Sequence, residues 1–315
     1  MRFGQCDGID KKWSVITLGC WQLAPSDGWG NVCTTREADA VVKSALDQNI
    51  TAFDTAEGYG DGESERRLAK ALGHKKDDVI IISKIWPDAE LTLEAYQERL
   101  EGTLRTLERD YVDVYLVHWP GSYFDSAEKS EKLCELMFGL KASGKARVIG
   151  LSNFHSFDLD LLKDSIHHFS INQIPYSLLE RDYEGTTTEI CDKAGIQFMA
   201  YSPTAQGFLA GRLDAEARDY PARKSNQFYQ GPLYPKALKV FEKVKEIAEQ
   251  IQKTPIEVAL AWVLNQKNIL TAIVGSRKPW QISNIAAASD VRLSDYHLQQ
   301  LATASKIFHR VKSLT

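Results

Sequence analysis

The sequence predicts one α/β domain over residues 1–315, a single (β/α)₈ TIM barrel with its active site at the C-terminal face of the strands. Short apolar runs rich in β-forming residues alternate with longer stretches of helical periodicity. Parallel strands need a long crossover connection, which a helix supplies. The chain length of 315 residues also suits one barrel, because such barrels take about 250 residues before loop insertions.

Eight apolar runs are the predicted barrel strands. They cover residues 15–18, 51–53, 79–82, 112–117, 148–151, 170–174, 197–200 and 270–274. An open doubly wound sheet is the alternative, and it usually carries a glycine-rich fingerprint after its first strand. Residues 18–22, Leu-Gly-Cys-Trp-Gln, lack that fingerprint, which favours the closed barrel.

The segments between the strands indicate amphipathic helices. Apolar residues recur there at three- and four-residue steps, so each stripe lies on one helix face. The clearest stripes lie within 93–107, 133–140 and 237–251. Thr254, Pro255 and Glu257 predict the start of a further helix, with Thr254 as N-cap, proline at the first position and Glu257 completing a capping box.

One segment, 204–235, interrupts the repeat. It contains three prolines and three glycines and is far longer than the usual βα loop of about 2–6 residues. Such insertions are usually lids or binding loops, or else mobile. We expect 204–235 to fold over the site.

Composition and charge disfavour several classes of function. The net charge of −4 and the scattered basic residues give no electrostatic footprint for nucleic acid or an anionic membrane. No apolar run approaches the roughly 18 residues of a membrane span, and the N-terminus lacks a signal-peptide pattern. The five cysteines include no Cys-x-x-Cys motif, so we predict a cytoplasmic protein without a structural metal site.

Four ionisable residues follow successive strands and are the candidate catalytic group. Asp54 comes directly after 51–53 and Tyr59 five residues later, Lys84 follows the third run, and His118 follows the fourth. A tyrosine has an unperturbed pKa of about 10, and a nearby lysine ammonium favours its phenolate. We expect Asp54 to hold Lys84, and His118 either to share the Tyr59 hydroxyl's hydrogen bond or to orient a substrate oxygen.

The sequence resembles the aldo-keto reductases over essentially the whole chain. Seven segments carry the resemblance: Phe-Asp-Thr-Ala-Glu-Gly-Tyr-Gly at 53–60, Ile-Ser-Lys at 82–84, Leu-Val-His-Trp-Pro at 116–120, Gly-Leu-Ser-Asn-Phe at 150–154, Asn-Gln at 172–173, Tyr-Ser-Pro at 201–203 and Val-Gly-Ser-Arg at 274–277. The resemblance implies a barrel that binds a nicotinamide cofactor, NADP(H), without a Rossmann domain. It implies NADPH-dependent reduction of a carbonyl or the reverse alcohol oxidation, with Tyr59 as general acid or base.

The resemblance also implies a set of cofactor-binding residues. Ser152, Asn153 and Gln173 match the residues that hydrogen-bond the nicotinamide amide, and Tyr201 matches the aromatic ring that stacks on the nicotinamide. Arg277 matches a residue at the site of the 2′-phosphate, which a guanidinium grips with two parallel hydrogen bonds. The remaining predicted contacts are Trp21, Asp54, Ser202, Pro203, Thr204, Gln206, Gly207, Leu209, Gly275, Ser276, Lys278, Gln281 and Asn284.

Three tryptophans, Trp21, Trp86 and Trp119, lie just beyond strand ends and predict an aromatic, apolar wall for a small carbonyl substrate. Only about a dozen residues precede the first strand, so the hairpin that closes the barrel floor in the resembling family is expected to be shortened or absent. Tyr220 and Lys224 share the Tyr-x-x-x-Lys spacing of short-chain dehydrogenases, but Pro221 opposes the helix that this pair would need.

Two rival functions stay open at the level of sequence. A regulatory protein could keep the barrel and cofactor and act by binding a partner, as potassium-channel β-subunits that resemble this family do. Another barrel enzyme, such as an aldolase, could use Lys84 as a Schiff-base nucleophile. The aldolase would leave Arg277 and the Ser152–Asn153 pair without a purpose.

Overall fold

Eight parallel strands close into a barrel in the computed structural model, which describes residues 1–26, 28–30, 33–121 and 124–309. Two short strands come first, β1 (Phe3–Gly4) and β2 (Trp13–Ser14). The barrel strands follow as β3 (Ile16–Gly19), β4 (Ala52–Asp54), β5 (Ile80–Ile85), β6 (Val112–Val117), β7 (Ala146–Ser152), β8 (Ile171–Pro175), β9 (Gln197–Tyr201) and β10 (Ile269–Gly275). Consecutive strands pair in parallel, and β10 closes onto β3.

The predicted barrel is therefore confirmed. Every predicted run overlaps one barrel strand, and the ends differ by at most three residues. The largest shift is at β5, which continues through Ser83 and Lys84 to Ile85. Those two polar residues ended the apolar run in the sequence, but Lys84 lies on the same strand face as Ile80 and Ile82 and points into the barrel.

Twelve α-helices surround the barrel or lie in its loops, counted over the described part of the chain. They are α1 (Thr35–Asp47), α2 (Glu63–Leu72), α3 (Leu93–Leu107), α4 (Ala127–Ala142), α5 (Ser156–Asp160), α6 (Thr186–Ala194), α7 (Ala215–Arg218), α8 (Pro221–Lys224), α9 (Tyr234–Gln250), α10 (Pro255–Leu264), α11 (Pro279–Ala287) and α12 (Asp295–Ala304). The Thr254 capping box forms as the sequence predicts, with both reciprocal hydrogen bonds present.

The apolar residues form two cores. The larger lies between the barrel and its helices. The smaller fills the lower barrel interior, where Ile80, Ile82 and Leu116 meet Cys6 and the fully buried Trp13 from the N-terminal segment. The hairpin of β1 and β2 is thus shortened to two residues per strand but present, and its tryptophan packs into the barrel floor.

The segment 204–235 contains two single-turn helices, α7 and α8. The expectation that Pro221 opposes a helix is wrong, because proline occupies the first helical position of α8, where no backbone N–H is required. The Ala222 backbone N–H donates to the Gly28 carbonyl at 2.8 Å and ties this segment to the loop after β3. Across the described ranges, no helix is both long and apolar enough to cross a membrane.

Candidate active site

The predicted catalytic residues meet at the upper end of the barrel. Asp54 is the last residue of β4 and Lys84 lies near the end of β5. The Lys84 ammonium lies 2.9 Å from Asp54 Oδ2, 2.7 Å from the Thr55 carbonyl oxygen and 3.2 Å from the Tyr59 hydroxyl. A lysine ammonium has three N–H donors, so each of them has one partner here.

Burial and charge set the protonation of this group. Burial lowers the pKa of the fully buried Lys84, but Asp54 and Tyr59 outweigh it and leave that pKa above its ordinary value. For Tyr59, burial raises the pKa by more than the Lys84 ammonium lowers it. We expected the ammonium to dominate, and the balance instead keeps Tyr59 a neutral phenol near neutral pH, which is the form that donates a proton.

His118 lies at the end of β6, with its ring beside that of Tyr59 at 5.5 Å between centroids. Burial and then the charge of Lys84 hold the pKa of His118 well below its ordinary value, so the imidazole is neutral. Its Nδ1 is buried and has no hydrogen-bond partner among the described residues. A neutral imidazole with an unused nitrogen can accept or donate a hydrogen bond at a substrate oxygen.

The ends of β7, β8 and β9 carry a cluster of amides and hydroxyls. Gln173 Nε2 donates to Asp54 Oδ1 at 2.7 Å. Asn153 Nδ2 donates to Ser152 Oγ at 3.0 Å, and Asn153 Oδ1 accepts from the Tyr201 hydroxyl at 2.8 Å. The Asn153 amide is thus already bonded at both ends. The Ser152 hydroxyl and the side-chain amide oxygen of Gln173 (Oε1) are the groups best placed to meet a carboxamide.

The segment after β10 forms the opposite end of the site. The backbone N–H groups of Arg277 and Lys278 both donate to Gln281 Oε1, at 3.1 and 3.2 Å. These backbone donors are therefore satisfied within the segment and do not point at an anion. Lys278 turns its ammonium toward Glu37 on α1, so its charge is partly neutralised.

Three arginines gather over this end of the site, although only Arg277 was predicted as a ligand. The Arg277 guanidinium lies 4.6 Å from the Tyr220 ring centroid, and that of Arg223 lies 5.5 Å from the same centroid. Burial and the charges of Arg277 and Arg212 lower the pKa of Arg223, although neighbouring tyrosines partly oppose them. Like charges held this close favour an anion between them.

A cavity of about 850 Å³ joins the two ends, large enough for a dinucleotide and a small substrate. Most predicted residues line it: Trp21, Asp54, Tyr59, Trp86, His118, Trp119, Ser152, Asn153, Gln173, Tyr201, Ser202, Pro203, Thr204, Gln206, Gly207, Gly275, Arg277, Gln281 and Asn284. Four predicted residues are not on its wall. Lys84 and Leu209 are fully buried, Ser276 bonds within its own turn, and Lys278 faces Glu37.

The cavity wall also contains residues that the sequence did not single out. Trp29 packs edge-on against Trp21 at 6.0 Å, and Trp21 stacks on Tyr59 at the same distance. The Trp29 indole N–H is buried without a partner in the described structure. Trp280, the second residue of α11, lies beneath the Arg212 guanidinium. The glycines at positions 28 and 30, on either side of Trp29, are the only sequence signal for it.

The backbone after β9 is held in an uncommon conformation. Ser202, Ala205 and Gln206 have φ values of 51°, 48° and 57°, and Gly207 has a φ of 95°. Left-handed backbone at three non-glycine residues in one turn is strained and concentrates at ligand-binding loops. A Cβ at Gly207 would lie 2.9 Å from an Arg223 nitrogen, so this glycine keeps the loop open beside the arginines.

The sequence is similar to known proteins over most of its length. The sequence model of the aldo/keto reductase family matches residues 15–306. The chain is 30% identical to aldo-keto reductase YhdN of Bacillus subtilis over 285 residues, 87% of this chain and 84% of that protein. It is 28% identical to an NADH-specific methylglyoxal reductase of Escherichia coli over 305 residues, 90% and 91% of the two chains.

Solved structures agree with the sequence matches. An aldo-keto reductase from Klebsiella pneumoniae, in complex with NADPH, superposes with a TM-score of 0.77 at 26% identity and covers 100% of this chain and 98% of that one. The superposition extends over the barrel and the segments that form the cavity.

Proposed function

The chain belongs to the aldo/keto reductase family, and we propose that it reduces an aldehyde or ketone to an alcohol with NADPH. Tyr59 is the general acid, and the reverse oxidation uses the same residues. The observation that carries the proposal is the contact of the Tyr59 hydroxyl with the buried Lys84–Asp54 pair at the floor of the cavity.

The donor set of the cavity fits NADP(H). One end offers the Ser152 hydroxyl and the Gln173 amide for a carboxamide, and the other end offers Arg277, Arg212 and Arg223 for phosphates. The buried N–H of Trp29, which has no partner in the described chain, is a further donor along the wall. When bound, the reduced nicotinamide supplies the hydride.

The chain's own residues supply the proton. The Tyr59 hydroxyl donates it to the carbonyl oxygen as negative charge develops there, and the adjacent Lys84 ammonium stabilises the phenolate that remains. Asp54 keeps Lys84 charged and in place. The neutral His118 orients the carbonyl oxygen, while Trp21, Trp86 and Trp119 exclude water from one side of the cavity.

The aldolase alternative is disfavoured by the position of Lys84. Its side chain is fully buried and does not reach the cavity wall, and all three ammonium hydrogens have partners. A Schiff-base lysine must be accessible and able to lose its proton. The elevated pKa of Lys84 opposes that role.

The same proposal covers the rest of the chain. We take residues 1–315 as one barrel domain whose 204–235 segment folds over the cofactor. Leu209, Ser276 and Lys278 do not line the cavity and instead stabilise the segments that do. A cytoplasmic location is supported by the five free cysteine thiols. The partner is a small carbonyl or alcohol substrate.

A coenzyme assay tests this proposal. The purified protein is mixed with NADPH or NADH and a panel of aldehydes, ketones and sugars, and loss of the reduced-nicotinamide absorbance is followed. Arg277→Ala should raise KM for NADPH by about 10-fold or more with little change for NADH, because only NADPH carries the 2′-phosphate. The exposed Arg105 on α3 provides a matched control, Arg105→Ala, which should change neither KM.

Two outcomes would refute the proposal. If no carbonyl accelerates cofactor oxidation, the chain is not a reductase. If Arg277→Ala raises both KM values equally, the preference for NADPH is wrong.

A further inference from the structure

A second, smaller cavity opens beside the first and has no part in the function described so far. It has a volume of about 220 Å³ and shares Trp119, Asn153 and Tyr201 with the larger cavity. Its floor is the loop between β8 and α6, and its roof includes Phe228 and Phe308. It therefore lies next to the substrate wall, at the same face of the barrel as Tyr59 and His118.

The polar groups of this cavity are acidic. Glu180 and Asp182 both line it, and no lysine or arginine is among the described residues of its wall. Arg181 lies between them in sequence but turns away, because its guanidinium binds Glu184 and the Ser305 hydroxyl. Among the described residues, no lysine or arginine on this wall offsets the charge of the Glu180 carboxylate.

The backbone of Glu180 is held in a tight turn. Its backbone N–H and carbonyl exchange two hydrogen bonds with Ser177, each 3.1 Å long. The titratable groups that face it across the cavity are Asp182, Tyr183, Tyr201 and His155. Burial and then the charge of Asp182 raise the pKa of Glu180 to about 7. A cation that enters the cavity would stabilise the buried Glu180 carboxylate and offset its repulsion by Asp182.

Aromatic rings form the rest of the wall. Tyr183 stacks on His155 at 3.9 Å, and Phe228 meets Phe308 edge-on at 5.7 Å. Trp119 is 42% exposed at the boundary of the two cavities. Aromatic faces attract organic cations, and a carboxylate beside them supplies the opposite charge.

From this arrangement we infer that the second cavity binds the distal end of the substrate and that Glu180 selects carbonyl substrates with a cationic distal group, such as an alkylammonium or pyridinium. The carbonyl end lies at Tyr59 and His118 while the cation passes Trp119 toward Glu180. A substrate with a distal carboxylate is rejected by the same side chain. This inference rests on the proposed reductase function and adds the class of substrate.

Three aldehydes of similar size but different charge test the inference, and each is compared with itself between the wild type and the variant, so that differences in intrinsic reactivity cancel. The probes are the cation 1-methylpyridinium-4-carboxaldehyde, the neutral 4-nitrobenzaldehyde and the anion 4-carboxybenzaldehyde, each reduced with NADPH. Glu180→Gln should lower kcat/KM for the cation by about 10-fold or more and raise it several-fold for the anion. The neutral probe should change by less than about 2-fold.

The pH dependence provides a second readout. Because the pKa of Glu180 is raised, its carboxylate forms only as the pH rises through about 7. The wild-type preference for the cation over the neutral probe should therefore grow between about pH 6 and pH 8, and Glu180→Gln should remove that growth. Glu128→Gln, on the exposed start of α4, is the control for loss of one negative charge.

The outcomes separate this inference from the reductase proposal. If the wild-type protein reduces none of the probes, the reductase function itself fails. If the neutral probe is reduced normally but Glu180→Gln affects all three probes equally, or none, the inference is overturned and the function stands. Competition by 1-methylpyridinium, which cannot react, checks binding without turnover. It should inhibit the wild type more strongly than a Glu180→Gln variant whose thermal unfolding is unchanged.

Discussion

Lys84 is the residue on which the site most depends. It carries a charge in the barrel interior with no exposed surface, and such a charge is tolerated only when it is paired and hydrogen-bonded. Asp54, the Thr55 carbonyl and Tyr59 use its three donors. The same contacts that make Lys84 acceptable in the core fix the Tyr59 hydroxyl at the cavity floor.

Asp54→Asn should therefore destabilise the fold as well as slow the reaction. The substitution leaves the Lys84 ammonium buried without its counter-charge, which costs about 3–5 kcal/mol of unfolding free energy. The double variant Asp54→Asn/Lys84→Met removes both charges and should be more stable than Asp54→Asn alone. Urea unfolding of the two single variants and the double variant measures the coupling. Additive losses would show that the two side chains do not form a buried ion pair.

At the scale of elements, the loop after β9 links the two ends of the cavity. Its left-handed residues begin beside Tyr201 and end at Gly207, next to Arg223, whose Nε donates to the Gln206 carbonyl at 2.8 Å. The backbone conformation of this loop thus positions an arginine over the phosphate end. Its strain is local and is offset by the packing of Leu209 and Phe208 in the core.

Gly207→Ala should weaken NADPH binding more than it weakens the fold. A Cβ there is strained at a φ of 95° and would push against Arg223, so the dissociation constant should rise by about 10-fold. Gly144→Ala is the matched control, because Gly144 has a φ of 75° with open space around it, remote from the cavity. Fluorescence titration should give Gly144→Ala the same NADPH dissociation constant as the wild type. Equal binding by both variants would mean that the loop does not position the phosphate site.

The sequence predicted what depends on local patterns. Each strand run and each member of the catalytic group follows from apolar periodicity and from residues near strand ends, and the aldo-keto reductase motifs mark the amide cluster. It did not predict contacts made by loops from distant parts of the chain. The position of Lys278 depends on Glu37, and that of Arg223 depends on Trp29 and Tyr220. Neither contact leaves a periodic signal.

The sequence also could not predict whether charge or burial has the larger effect on the pKa of Tyr59. We expected the lysine to lower the pKa of Tyr59, and burial reversed the net direction. Lys84 is buried because β5 continues past Ile82 to Ile85. The apolar run in the sequence ends at Ile82, so it does not show this burial. Cavity depth is a property of the closed barrel and not of any one segment.

At the scale of the whole molecule, the lower barrel interior is an apolar core and the upper end of the barrel carries the polar residues of the candidate active site. Apolar side chains from seven barrel strands fill the floor around Trp13, whereas Asp54, Lys84 and Gln173 occupy the layer above. This separation lets the site carry buried polar groups without weakening the packed floor. The helices around the barrel shield both layers.

The same packing buries the thiols of all five cysteines. All are buried, and burial is the first cause that raises the pKa of each, to about 11 for Cys6 and Cys134 and about 12 for Cys191. We predict that none reacts rapidly with Ellman's reagent in the folded protein and that all five react in denaturant. Treatment with a reductant should leave the melting temperature unchanged. A fast-reacting thiol in the native protein would contradict the packing described for both cores.

The most direct test of the account is the reaction of Tyr59→Phe with NADPH in a single turnover. The phenylalanine keeps the ring against Trp21 and His118 and removes only the hydroxyl that donates the proton. Reduction of a neutral aldehyde should slow by about 100- to 10,000-fold, with an unchanged NADPH dissociation constant and melting temperature. A Tyr59→Phe variant that turns over within a few-fold of the wild type would contradict the assignment of Tyr59 as the general acid.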